Sequence, residues 1–83
     1  MTSNSHLFDS QLTIDTTGLL CPEPVMLLHK AIREVATGQV IHLIATDPST
    51  QRDVPKFCQF LGHLLKQSTV DDKQFNYWIE KSA

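Results

Sequence analysis

A chain of 83 residues, 41% hydrophobic, holds one modest core. Its formal net charge of −2 argues against autonomous nucleic-acid binding, which needs a basic footprint. No stretch approaches transmembrane length, and residues 1–10 lack the apolar run and basic start of a signal peptide. Those ten residues are expected to be a polar, flexible N-terminus on a single domain spanning residues 1–83, in a cytoplasmic protein.

Leu12-Thr13-Ile14-Asp15-Thr16 alternates apolar and polar residues, the pattern of a half-buried strand. Thr17-Gly18 then turns the chain toward Leu20-Cys21-Pro22-Glu23-Pro24. Proline fixes its own φ and has no N–H, so Pro22 and Pro24 suit the first turn of a helix. The helix is predicted to run through Val35 and to end at Thr37-Gly38, with Val25, Leu28, Ile32 and Val35 as its buried stripe. Met26, His29, Lys30 and Arg33 fall on its other face.

Gln39 to Thr46, rich in Val and Ile, reads as a central strand. Asp47-Pro48-Ser49-Thr50 is a turn with several N-cap candidates. A second helix is predicted from about Gln51 to Leu65, burying Val54, Phe57, Cys58, Leu61 and Leu65. Lys66 to Val70 is a short strand and Asp71-Asp72-Lys73 a tight turn. In the last strand Phe75, Tyr77 and Ile79 face inward, opposite Asn76, Trp78 and Glu80. The order β-α-β-α-β-β, with right-handed crossovers, gives a two-layer α/β sandwich: a four-stranded mixed sheet with two helices on one face.

Cys21 sits where free backbone N–H groups and the positive end of a helix dipole favour a thiolate, the nucleophilic form. From its spacing alone it reads equally as a small apolar residue at a strand–helix junction. Cys58 falls on the buried stripe of the second helix and reads as structural. The two cysteines are too far apart for a Cys-x-x-Cys motif, and a structural disulfide is unexpected in such a chain. No histidine has metal-ligand spacing, so no metal is expected.

Gly18 to Met26, with Cys21-Pro22-Glu23-Pro24 at its centre, resembles the Cys-Pro-x-Pro signature of the TusA/SirA-like sulfur-carrier family. A second block agrees: Asp47-Pro48, Arg52-Asp53-Val54-Pro55 and Phe57-Cys58. Leu20 stands before the cysteine, where some relatives have a basic residue.

The resemblance covers nearly the whole chain and implies a sulfurtransferase working through a cysteine persulfide. Cys21 would take sulfur from a cysteine desulfurase and pass it to a downstream relay protein, toward 2-thiolation of the tRNA wobble uridine. Molybdenum-cofactor and other sulfur pathways are also served by the family. No metal or organic cofactor is implied. The donor's pyridoxal phosphate belongs to the partner. The Asp47-Pro48 loop would border the sulfur site.

Around Cys21, Pro22, Glu23, Pro24, Asp47 and Arg52 are candidates for the sulfur-site environment, Arg52 as an attractor of the anionic persulfide. Capping of the second helix accounts for Asp53 or Ser49 without any function. Glu23 reads as readily as a first-turn acid complementing the dipole. Met26, His29, Arg33 and Phe60 are candidates for partner docking, Phe60 because the core stripe leaves it pointing outward. Trp78 reads as an indole covering the open sheet face. The motif offers no general base beside Cys21, and the chain is expected to have no substrate cavity and to be a monomer. Two other classes of function fit the same residues: a thiol redox sensor using Cys21, and an RNA-binding or regulatory module of the same fold.

Overall fold

The computed structural model describes residues 10–82, so the expected flexible N-terminus lies, except for Ser10, outside the described residues. The elements are β1 (Leu12–Thr16), α1 (Glu23–Ile32), β2 (Val40–Ala45), α2 (Thr50–Leu61), β3 (Leu64–Asp71) and β4 (Gln74–Glu80). This is the β-α-β-α-β-β order read from the pattern of apolar residues.

The sheet runs β1-β2-β4-β3. β1 and β2 are parallel, with Leu12 opposite Ile41 and Thr16 opposite Ala45. β4 is antiparallel to β2 and to β3, so the last strand of the chain fills the gap between them. Its register sets Phe75, Tyr77 and Ile79 against Ala45, Leu43 and Ile41. These six alternate residues belong to one buried cluster with Leu28 and Ile32 of α1 and Val54, Phe57 and Cys58 of α2. α1 lies over β1 and β2, α2 over β3 and β4, and the helices touch each other. That packing brings their N-termini, which follow parallel strands, to one edge of the sheet.

Both helices stop earlier than predicted. α1 ends at Ile32 with Arg33 as its C-cap. The N–H groups of Arg33 and Glu34 then bond three residues back, to Lys30 (3.2 Å) and Ala31 (2.9 Å), tightening the chain into the turn that feeds β2. Val35 is buried all the same, at 7% exposure, which is why it fits the helical stripe from beyond the helix. α2 ends at Leu61 because Gly62 takes φ +81°, a left-handed conformation that favours glycine, and His63 N–H bonds back to the Cys58 carbonyl at 2.9 Å. Leu65 therefore packs on the core from β3, and Leu61 is left 36% exposed.

The β3–β4 connection holds Asp72 and Lys73 at φ +51° and +67°, the signs of a two-residue I′ hairpin turn. On the sheet face away from the helices, the Trp78 ring stacks on His42 at 4.5 Å and 9°, and His42 Nε2 meets Asn76 Oδ1 at 2.9 Å. Trp78 is buried, as expected of a cover for that face, though its indole N–H has no acceptor among the described residues. Among the described residues no helix is long and apolar enough to cross a membrane.

Candidate functional site

The segment between β1 and α1 is tied at each step. Asp15 Oδ1 accepts from the Thr17 N–H (2.9 Å) and hydroxyl (2.5 Å), and the Leu19 N–H bonds to the Thr16 carbonyl at 3.0 Å. Gly18, at φ +84°, turns its N–H to Thr46 Oγ1 at 2.9 Å, fastening the segment to the end of β2. Pro22 then takes the N-cap position, and its carbonyl accepts the first helical bond from Met26 at 3.0 Å. Pro24 is buried in the first turn, where a missing N–H costs nothing. Cys21, joined to Pro22 by a cis peptide, stands one residue before the cap, half-buried.

Two carboxylates converge on it. Asp47, at the end of β2 and only 9% exposed, accepts the Cys21 N–H on Oδ2 at 2.6 Å and the Ser49 N–H on Oδ1 at 3.0 Å. It thus ties the cysteine segment to the start of α2. The hydrogen bonds from Ser49, then Cys21, hold its carboxyl below the usual carboxylate value. Behind it the Thr50 hydroxyl donates to the Asp47 carbonyl at 2.7 Å. Thr50 Oγ1 therefore accepts from the Tyr77 hydroxyl, 2.8 Å away, which pins the loop to β4.

The second carboxylate is Asp53. Its Oδ2 accepts the proton of Cys21 Sγ, and its Oδ1 pairs with Arg52 Nε at 3.2 Å. Asp53 is not a cap: Ser49 holds that position, without a side-chain bond to the helix. The hydrogen bond from Cys21 is the main reason its carboxyl lies below the usual value.

The same bond overturns the expectation of a resting thiolate. The Cys21 thiol is pushed up from 9.0 to about 11, first by the hydrogen bond to Asp53, then by burial and by the charges of Asp53 and Asp47, with Arg52 pulling the other way. A helix terminus offers about half a positive charge. A full carboxylate charge in direct contact outweighs it, so the proton stays on sulfur. In this thiol form Arg52 reaches Asp53, and Asp53 is the basic group beside Cys21 that the motif alone does not reveal.

From Cys21 an open groove of about 830 Å³ runs between the helices, lined by Val25 and His29 of α1 and by Asp53, Phe57 and Phe60 of α2. The chain therefore does have a concave surface at the cysteine, against expectation. His29 meets the Phe57 ring edge-on at 4.7 Å and 84°. Phe60 on the groove wall is 89% exposed, and Leu20 and Met26, next in the chain to Cys21 and Val25, are 69% and 60% exposed.

Pro22 lines the groove beside Cys21 and Glu23 follows it at the start of α1, both exposed, whereas Arg33 caps the far end of α1, roughly 15 Å along the helix at 1.5 Å per residue. Cys58 is 3% exposed, and burial alone pushes its thiol up to about 11. Among the described residues no group of three or more His, Cys, Asp or Glu is arranged to hold a metal.

Asp53 is the residue that sequence reasoning undervalued. The signal was its place at the head of the series Asp53, Phe57, Phe60, spaced i, i+4, i+7, which lines one wall of the groove.

Comparison with known proteins places this geometry in context. The family described as Sulfurtransferase TusA matches residues 12–81. The chain is 55% identical over 76 residues to the sulfur carrier protein TusA of Pseudomonas putida (strain GB-1), covering 92% of this chain and 95% of that one. To the protein of the same name from Pseudomonas aeruginosa (strain LESB58) it is 54% identical over 79 residues, covering 95% and 98%. Its fold is similar to the crystal structure of a SirA-like protein from Desulfitobacterium hafniense, with a TM-score of 0.77 at 23% identity over 87% of this chain and 99% of that one.

Proposed function

This chain belongs to the Sulfurtransferase TusA family of sulfur carriers, and on that premise we propose that it carries its sulfur as a persulfide on Cys21. A cysteine desulfurase is the donor, and a second relay protein is the acceptor, in the path to 2-thiolation of the tRNA wobble uridine. The carrying observation is a half-buried cysteine at the head of an open groove, where a partner's sulfur can approach along Val25 and Phe57.

The chemistry is exchange between sulfurs. Sγ of Cys21 bonds to the terminal sulfur of the donor persulfide as the donor's own S–S bond breaks. In the second half the terminal sulfur on Cys21 is taken by the acceptor's thiol in the same way. Asp47 keeps the cysteine backbone in register by holding its N–H, and the two prolines stiffen the segment that presents it. His29 and Phe60 on the walls of the groove, with the exposed Met26 of α1, offer the contact surface. Arg33, at the far end of α1, extends that face. Once a terminal sulfur stands on Sγ in place of the thiol proton and ionises, Arg52 and Lys56 are the cations at hand to balance its charge. The single domain acts as a monomer in the cytoplasm, where both cysteines stay thiols. With a net charge of −2 it does not bind tRNA stably by itself.

The test is a reconstituted transfer. A desulfurase charged with ³⁵S-cysteine is mixed with the protein, and the label is followed on non-reducing gels. Reductant-labile label on the wild type, absent from Cys21→Ser, supports the reading. Equal labelling of Cys21→Ser overturns it.

A further inference from the structure

Resting on the carrier reading, we infer that Asp53 is the proton acceptor for Cys21 in the sulfur-uptake step. Its Oδ2 already accepts the Sγ proton, and its Oδ1 is held by Arg52 Nε at 3.2 Å, so the carboxylate is aimed before any donor arrives. At 23% side-chain exposure it keeps a path to the groove and to the sulfur that departs. Asp47 from the β2–α2 turn, Arg52 and Lys56 from α2 and His29 from the α1 wall of the groove surround the pair, and Glu23 stands two residues after Cys21 in the first turn of α1.

The step balances without an added oxidant. Sγ of Cys21–SH forms a bond to the terminal sulfur of R–S–SH, and the donor S–S bond breaks with its electron pair leaving on R–S⁻. The Sγ proton passes to Asp53 and from there to R–S⁻, giving Cys21–S–SH and R–SH. A carboxylate is a weak base toward a resting thiol. As the new S–S bond forms, however, Sγ acquires positive character and its proton becomes strongly acidic, so the transfer becomes downhill at that moment. The aspartate that accepts a hydroxyl proton in protein kinases works under the same rule. The same contact keeps the resting thiol protonated and slow toward passing electrophiles.

Asp53→Asn separates these two effects, because the amide keeps the shape and loses the base and the charge. Alkylation of Cys21 by iodoacetamide reads the thiolate. If the thiol returns from about 11 toward 9.0, the thiolate fraction at pH 8 rises about a hundredfold, and the lower nucleophilicity of a more acidic thiol takes back about tenfold. The expected result is alkylation about tenfold faster than in the wild type, with Cys58 unchanged as an internal control. Sulfur uptake is read with glutathione persulfide, a donor that needs no protein docking, and should fall by roughly a hundredfold near neutral pH. The wild-type to variant ratio, in which the donor's own ionisation cancels, should shrink as pH rises and the variant forms its own thiolate. Asp53→Glu should recover part of the uptake.

Faster alkylation together with unchanged or faster sulfur uptake would overturn the inference, leaving Asp53 as a restraint on the thiol alone. Unchanged alkylation with unchanged uptake would overturn it as well. Absence of uptake by the wild type from any persulfide donor would instead strike the carrier reading, and the proton role with it. Matching circular dichroism and melting of the variants confirm that each compares folded protein.

Discussion

The thiol of Cys21 donates its proton to a carboxylate oxygen of Asp53, a residue 32 positions further along the chain. The contact joins the segment before α1 to the first turn of α2, and it exists because β1 and β2 pair directly in parallel while both helices pack on one core. Everything that distinguishes this cysteine from Cys58 follows from that junction. Cys58 lies in the buried apolar cluster, and burial alone holds its proton. Cys21 meets a base, a second carboxylate on its own N–H, and an open groove.

The pH dependence of stability should have two arms. The Cys21 pKa is raised on folding, so the folded state binds that proton more tightly than the unfolded chain. This contribution is fully present below about pH 9 and is lost as pH climbs through about 11. The carboxyls of Asp47 and Asp53 are depressed on folding, so their contribution is present above the ordinary value of 3.8 and is lost as pH falls below it. Urea midpoints measured across pH should fall at both ends. In Asp53→Asn both arms should flatten, whereas in Cys58→Ala the acid arm should be unchanged.

Tyr77→Phe tests how the site is anchored. The lost hydroxyl leaves Thr50 Oγ1 without its donor in a buried position, at a cost of about 1 kcal/mol in chemical denaturation. Because Thr50 also holds the Asp47 carbonyl, the Asp47 loop should loosen, seen as faster amide exchange at Cys21 and Ser49. Unchanged exchange at those two amides would mean that the loop is held without Tyr77.

Phe60→Ala tests the groove as a docking surface. At 89% exposure the ring adds little to the fold, and the substitution should change stability by less than about 0.5 kcal/mol. Affinity for the desulfurase, measured by calorimetry, should drop by roughly ten- to thirtyfold, the scale of an aromatic anchor at an interface. Uptake from glutathione persulfide should stay at the wild-type rate. Equal affinity would remove Phe60 from the docking surface.

Much of this architecture was legible in the residues, and the parts that were not share a physical origin. Periodicity revealed the strands and the buried stripes of both helices because burial imposes it. It overran both helix ends, since Val35 and Leu65 are buried in positions that continue the helical spacing from a turn and from a strand. Gly62 was the local stop signal for α2, and the spacing of Leu61 and Leu65 masked it.

The turn into α1 just after Cys21 was legible from its two prolines. The state of the sulfur was not, because it depends on a carboxylate supplied by another helix. A local reading of Cys21 sees the dipole of α1 and misses Asp53 of α2, and the nearer full charge decides which way the proton lies.

The most direct test of the account maps the cargo. The protein is incubated with a cysteine desulfurase and cysteine, alkylated under non-reducing conditions, digested, and analysed by peptide mass spectrometry. One added sulfur atom on the Cys21 peptide, removed by reductant, with none on the Cys58 peptide and none in Cys21→Ser, is the predicted result. Sulfur on Cys58, or a Cys21 peptide that stays unmodified beside an active desulfurase, would contradict it.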